Sequence, residues 1–255
     1  MPAPFARRHS MASAQAEAGG GGAQPAPLPT GVALSADFFM PFVPGSYKPD
    51  FGAPIRGPLA AWRAANPAAL VANVSGRHDI TDADFAHLAG IKALDTSGAY
   101  GFTDAAFCHL KGILMLAISG CGQLTDAAFV HLAGIHTLSM AGCRQPAITD
   151  AAFAHLRGIH KLDMYDCTQP TITDAAFAHL AGIQWLDMQG CKQRSITDGA
   201  LSHLKGIGHL SVKECRQLTD AAVLGLGCDA EPPRATPQPA QLPAQLPAPE
   251  DAAPQ

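Results

Sequence analysis

Three kinds of chemistry-bearing residue recur at fixed intervals in this chain. Cys121, Cys143, Cys167, Cys191 and Cys215 lie 22 or 24 residues apart. Thiolates bind metals in close pairs such as C-x-x-C, and this spacing sets them in a line instead of a tetrahedron. One thiol per interval suits a buried row of small apolar groups, with Ala99 in the same place earlier in the chain. Reduced thiols imply an intracellular protein, cytoplasmic or nuclear. The second set is His87, His109, His131, His155, His179 and His203. No carboxylate or cysteine accompanies them at ligand spacing, so no metal and no cofactor is expected. Partly exposed imidazoles bonding the backbone of a neighbouring unit are expected, and six of them would titrate near one pH.

The third set varies: Lys161, Asp163, Tyr165, Trp185, Asp187, Gln189, His209 and Lys213. An exposed Trp and Tyr among mixed charges have the composition of a partner-binding hot spot. Asp163 and Asp187 could in principle do acid–base work. On neighbouring strands they would repel, with Lys161 and Lys213 near enough to offset this. No nucleophile, metal set or phosphate loop accompanies them, so no enzyme activity is expected.

A repeat positions all three sets. Thr-Asp recurs at Thr81, Thr103, Thr125, Thr149, Thr173, Thr197 and Thr219, at spacings of 22, 22, 24, 24, 24 and 22 residues. A period in this range marks a solenoid. Thr-Asp starts a helix: the hydroxyl accepts from an orphan amide and the carboxylate suits the positive end. Phe153 and Leu156 follow on one helix face, as do Phe85 and Leu88, Phe107 and Leu110, Phe129 and Leu132, and Phe177 and Leu180. Gly158 and its equivalents end the helix. A short strand follows, with Leu162 and Met164 inward and Lys161, Asp163 and Tyr165 outward. The counterparts predict about seven parallel strands, the first at Asn73 to Ser75 and each about 4.8 Å from the next.

The pattern Ile159-x-x-Leu162-x-Met164-x-x-Cys167 followed by Ile-Thr-Asp resembles the leucine-rich repeat in its cysteine-containing subtype. The resemblance spans about residues 70 to 228. It implies an α/β solenoid with parallel strands on the concave face and short helices on the convex face. That subtype is best known from F-box/leucine-rich-repeat proteins, and related repeats occur in bacterial leucine-rich proteins. It therefore implies protein–protein recognition through the concave surface, as substrate recognition for an SCF-type ubiquitin ligase, with an SCF adaptor as a further partner. The segment Gly57 to Gly76 resembles the stretch that joins an F-box to its first repeat. A full box takes about forty residues in the family, whereas here the residues before Gly57 are Pro-rich and read as loop. Either the box is absent or only its last part remains. A free-standing scaffold or effector without a ligase link is the alternative, and a degenerate array without a specific partner is a third reading.

Composition sets the outer bounds. The chain has 255 residues, 15% of them charged, with net charge −4, which argues against nucleic-acid binding by bulk positive charge. The longest apolar stretch, Gly31 to Gly45, is broken by Asp37, Pro41 and Pro44, so no membrane span is expected. After Arg7 and Arg8 comes no apolar run of the kind a signal peptide needs. Of 21 prolines, only Pro146 and Pro170 fall between Pro67 and Pro232. The expected organisation is a disordered or loop-rich segment at 1–56, a solenoid at 57–228 with a cap at 57–76, and a disordered Pro/Ala/Gln-rich tail at 229–255.

Overall fold

The computed structural model describes residues 51–231. The expectations for 1–50 and 232–255 lie outside these residues. Eight three-residue strands form one parallel sheet in strict sequence order: β1 Val71–Asn73, β2 Ala93–Asp95, β3 Met115–Ala117, β4 Thr137–Ser139, β5 Lys161–Asp163, β6 Trp185–Asp187, β7 His209–Ser211 and β8 Asp229–Glu231. The architecture is the α/β leucine-rich-repeat solenoid expected from the repeat.

The inward residues explain why the units stack. Leu94, Leu116, Leu138, Leu162, Leu186 and Leu210 are in register across successive strands and are wholly buried. The helix-side Phe85, Phe107, Phe129, Phe153 and Phe177 fill the space beneath them. No single unit has a partner layer of its own, so each neighbour supplies half of the core.

The helical pieces are short. The first two units use single 3-10 segments, Asp82–Leu88 and Asp104–Leu110. Later units use one α-turn: α2 Asp126–Phe129, α3 Asp150–Phe153, α4 Asp174–Phe177 and α5 Asp198–Leu201, with α6 Asp220–Leu224 after the seventh Thr-Asp. Thr103, Thr125, Thr149, Thr173 and Thr197 each accept from the amide two residues on, as expected of a helix start. Gly158 has φ +81°, a conformation a side chain would strain, which is why glycine ends each segment.

The Asp of each pair does more than suit a helix end. Asp150 accepts from the backbone amide of Thr173 at 2.7 Å and from its hydroxyl at 2.7 Å, one repeat further on. The same pair of hydrogen bonds joins Asp82 to Thr103, Asp104 to Thr125, Asp126 to Thr149, Asp174 to Thr197 and Asp198 to Thr219. Thr-Asp is therefore a ladder between repeats as well as a cap within one.

The ends differ from the sequence reading. β1 begins at Val71, two residues before the expected Asn73, although Val74 and Gly76 still donate to the carbonyls of Asp95 and Ser97. β8 lies beyond the expected end at residue 228, where Ala230 takes the register place opposite Leu210. Gly227, at φ +63°, makes the same kind of turn that precedes earlier strands. An Asp-Ala-Glu strand carries no apolar alternation, which hid it in the acidic tail composition. At the other end α1, Leu59–Ala65, sits against the first unit: Leu59 is buried and Trp62 packs on the core edge. Arg63 donates to the carbonyl oxygens of His87 at 2.6 Å and Ala89 at 3.1 Å, tying α1 to the first helical segment.

Candidate functional site: the open face of the sheet

The outward residues of the strands form rows across the sheet. One row runs Val71, Ala93, Met115, Thr137, Lys161, Trp185 and His209, each the register partner of the next. The next runs Asn73, Asp95, Ala117, Ser139, Asp163, Asp187 and Ser211. The expected site residues Lys161, Asp163, Trp185, Asp187 and His209 are thus brought together on β5 to β7. Tyr165, Gln189 and Lys213 follow these strands in the loop that each strand enters.

Trp185 is a correction. It was expected to be exposed, but only 7% of its surface meets solvent. Its indole stacks on His209, with ring centroids 5.7 Å apart and planes 13° from parallel. Two large flat rings at the same register position of parallel strands are held about one strand spacing apart, and stacking covers both. Tyr165, by contrast, is 48% exposed, and Lys213 is exposed too.

The two carboxylates are each held by their own chain. Asp163 accepts from the amide of Tyr165 at 2.9 Å and from the Ser139 hydroxyl at 2.8 Å. Asp187 accepts from the amide of Gln189 at 2.8 Å. Asn73 and Asp95 make the same short turn with Ser75 and Ser97. An acid at this place therefore shapes the exit of the strand, which is a structural use of a residue type read first as a charge.

The other half of the face is apolar. Val71, Ala93, Met115 and Ala117 form a cluster of their own, closed by Phe51 with Leu114 at its side. Phe51 falls in the segment expected to be disordered or loop-rich. It lies in loop, but a pinned one: the amide of Ile55 donates to Asn73 O at 2.7 Å, and Asn73 Nδ2 donates to Gly52 O at 2.7 Å. Phe51 stands outside the repeat, so no column could have indicated where it lands.

The remaining columns have structural roles. Each column thiol donates to a backbone carbonyl of the preceding repeat: Cys121 to Thr96, Cys143 to Ile118, Cys167 to Met140, Cys191 to Met164 and Cys215 to Met188. Burial pushes the Cys121 thiol up to about 11 and those of Cys143 and Cys215 to about 12, and it raises Cys167 and Cys191 as well. The thiolate needed for reactivity or metal binding is therefore suppressed. The histidine column is half-buried from His87 to His179 and exposed at His203. The expected backbone bonds to neighbouring units do not form; among the described residues its inter-repeat bond is from Arg157 to His179 Nδ1 at 3.4 Å. A different pair, His136 and His160, stacks at 4.4 Å just before β4 and β5. Burial, with the neighbouring His160 and Lys161 charges, holds His136 below the usual imidazole range.

No family model and no curated protein matches the chain. Its structure resembles a chain in the crystal structure of the yeast Rad7 and Elc1 complex, with a TM-score of 0.46, 16% identity and coverage of 62% of this chain and 45% of that one. It also resembles a leucine-rich-repeat protein of Leptospira interrogans, at 0.43, 13%, 62% and 46% by the same measures. A chain of the Drosophila Toll–Spatzle complex gives 0.42, 11%, 59% and 27%. The matches thus span less than half the length of each of these chains.

Proposed function

We propose that this chain is a non-catalytic recognition module that binds a protein partner on the open face of β5 to β7. The observation that supports it most is the contrast within single strands. Leu162, Leu186 and Leu210 are identical and buried, while their neighbours Lys161, Trp185 and His209 differ at every step. Packing demands nothing of that variety, and a binding surface does. With Trp185 stacked, the accessible anchors are Tyr165 and Lys213, which follow β5 and β7, while the Trp185–His209 pair lies at the start of β6 and β7. The setting we propose is intracellular substrate recognition for an SCF-type ubiquitin ligase, on the repeat resemblance. A second reading, a scaffold without a ligase link, is favoured by α1: its Leu59 and Arg63 are spent on capping the first repeat.

Affinity capture of the full chain from its own cells tests both. A protein that is retained by the parent and lost by Tyr165→Ala with Lys213→Ala supports the face. Retention of every captured protein by that double variant contradicts it. Co-purification of an SCF adaptor supports the ligase setting, and capture of a partner without an adaptor supports the scaffold.

A further inference from the structure

The rim where each helical segment turns into its strand carries charge of one sign. The six stretches 85–94, 107–116, 129–138, 153–162, 177–186 and 201–210 hold Lys92, Lys111, Arg157, Lys161 and Lys205, nine of the chain's 11 histidines, and no Asp or Glu. The acids of the repeats gather elsewhere, in the Thr-Asp ladder and where the strands end. Stacking makes one strip of the six stretches. The amide of Leu114 donates to Lys92 O, and the same bond runs from His136 to Leu114, His160 to His136, Gln184 to His160 and Gly208 to Gln184. Lys92 Nζ also reaches Gly112 O in the next unit, at 3.0 Å. Beside this row, Ala89, Lys111, Ala133, Arg157, Ala181 and Lys205 hold one place in successive units. The three cations are exposed and recur at every second repeat, about 10 Å apart at the strand spacing.

We infer that this rim docks an acidic segment of a protein partner, extended in the polyproline II form with a carboxylate at every third residue. Charge selects the ligand: a strip of cations without acids attracts an anion along its whole length. The net charge of −4 does not oppose this, since salt confines each contact to its own neighbourhood of about 8–10 Å. Spacing selects the conformation. A polyproline II chain rises about 3.1 Å per residue and turns once in three, so one of its faces recurs about every 9 Å. Carboxylates on that face meet Lys111, Arg157 and Lys205 in turn. The alanines between these cations leave room for the proline rings. His109, His155 and His203 stand two residues before the three cations and add ring N–H donors to the strip. Other polyanions fit less well. The phenylalanines and Trp185 of these stretches are buried, so no such ring is offered to a nucleobase. Val130 is the one exposed large apolar side chain in them among the described residues, which leaves a lipid layer little to take up. The rim is a surface apart from the open face, so this goes beyond the recognition reading and does not depend on it.

Fluorescence anisotropy on the full chain tests it with a labelled peptide of four Glu-Pro-Pro triplets. The peptide is expected to bind, and to bind at least tenfold more weakly when Lys111→Glu, Arg157→Glu and Lys205→Glu are combined. The same charge change off the strip, Lys192→Glu with Arg194→Glu and Arg216→Glu, is expected to stay within about twofold of the parent. Where circular dichroism shows that the reversed variant does not fold, the neutral set Lys111→Gln, Arg157→Gln and Lys205→Gln replaces it, with the same direction of loss. A peptide of equal composition with its four Glu contiguous is expected to bind several-fold more weakly. Absence of binding, equal loss in the two charge variants, or equal affinity for the two peptides would overturn the inference. So would tighter binding of phosphatidylserine vesicles or of a uridine oligonucleotide to the same strip. Tyr165→Ala with Lys213→Ala is expected to leave peptide binding unchanged, which separates a failure here from a failure of the open-face reading.

Discussion

The two sides of one strand obey different rules. On the inward side of β2 to β7 every central residue is leucine, and all are buried to the same degree. On the outward side no two neighbours in the first row are alike, from Ala93 through Met115, Thr137, Lys161 and Trp185 to His209. The inward side must satisfy its neighbours on both flanks, so one solution repeated is the stable one. The outward side is released from that constraint. Core stability and the character of the outward surface are therefore separable here, strand by strand, and substitutions on the two sides should differ in kind.

The largest contrast comes from the core. Phe153→Ala empties a wholly buried site between two repeats and is expected to cost about 3–5 kcal/mol in chemical denaturation. Tyr165→Ala, half a repeat further on, should change stability by no more than about 0.5 kcal/mol. Equal losses at the two positions would erase the distinction between the sides.

The ladder comes next. Asp150→Ala strips the Thr173 amide and hydroxyl of their acceptor, and about 1–3 kcal/mol of stability should go with it. A double-mutant cycle with Thr173→Ala should show partial coupling, since that variant removes the hydroxyl bond to Asp150 but keeps the amide bond.

Alkali sharpens the view of the thiol column. The folded state holds these thiols protonated, whereas an unfolded thiol ionises near about 8.5. The unfolded state therefore binds fewer protons as pH rises, and stability must fall. The loss begins near that unfolded value and continues through about 11 for Cys121 and about 12 for Cys143 and Cys215. Each thiol contributes a slope of about 1.4 kcal/mol per pH unit within its window. Urea midpoints measured at rising pH should fall in the parent and fall less in Cys121→Ala. In native protein at mild pH, a thiol reagent should modify exposed Cys108 and spare the column.

One small effect is expected to be a gain. Asp166 and Glu214 adopt φ +52° and +65° at the turn where Gly98, Gly120, Gly142 and Gly190 stand in other units. Each carries an ion pair to the preceding repeat, Asp166 with Arg144 and Glu214 with Lys192. The Glu214 pair is exposed and contributes little, while the left-handed conformation costs about 1–2 kcal/mol. Glu214→Gly should raise the denaturation midpoint by up to about 1 kcal/mol in stability.

The frame was legible because it recurs. Thr-Asp, Phe, Leu and Cys at one period name their own neighbours, and the buried columns follow from alternation alone. The site was legible as an address but not as a state. The sequence places Trp185 opposite His209, yet whether two rings stack or splay depends on their rotamers, which no period encodes. Phe51 and β8 were illegible for the same reason: both belong to the ends, where the repeat lapses and local composition misleads. The ladder role of Asp was hidden differently, since one residue serves a cap and a neighbour at once and only the second requires knowing the stack.

The central claim is that residues far apart along the chain stand side by side at even intervals on one open face. Spin labels at Ser97→Cys and Lys213→Cys, with Cys108→Ser and Cys228→Ser to silence the accessible thiols, measure it directly. These positions follow β2 and β7, five strand spacings or about 24 Å apart before the label arms are added. The account predicts a single narrow distance in that range, and a shorter one, by about 10 Å, when the first label moves two repeats along to Ala141→Cys. A broad distribution, or a distance that does not shorten with the move, contradicts it.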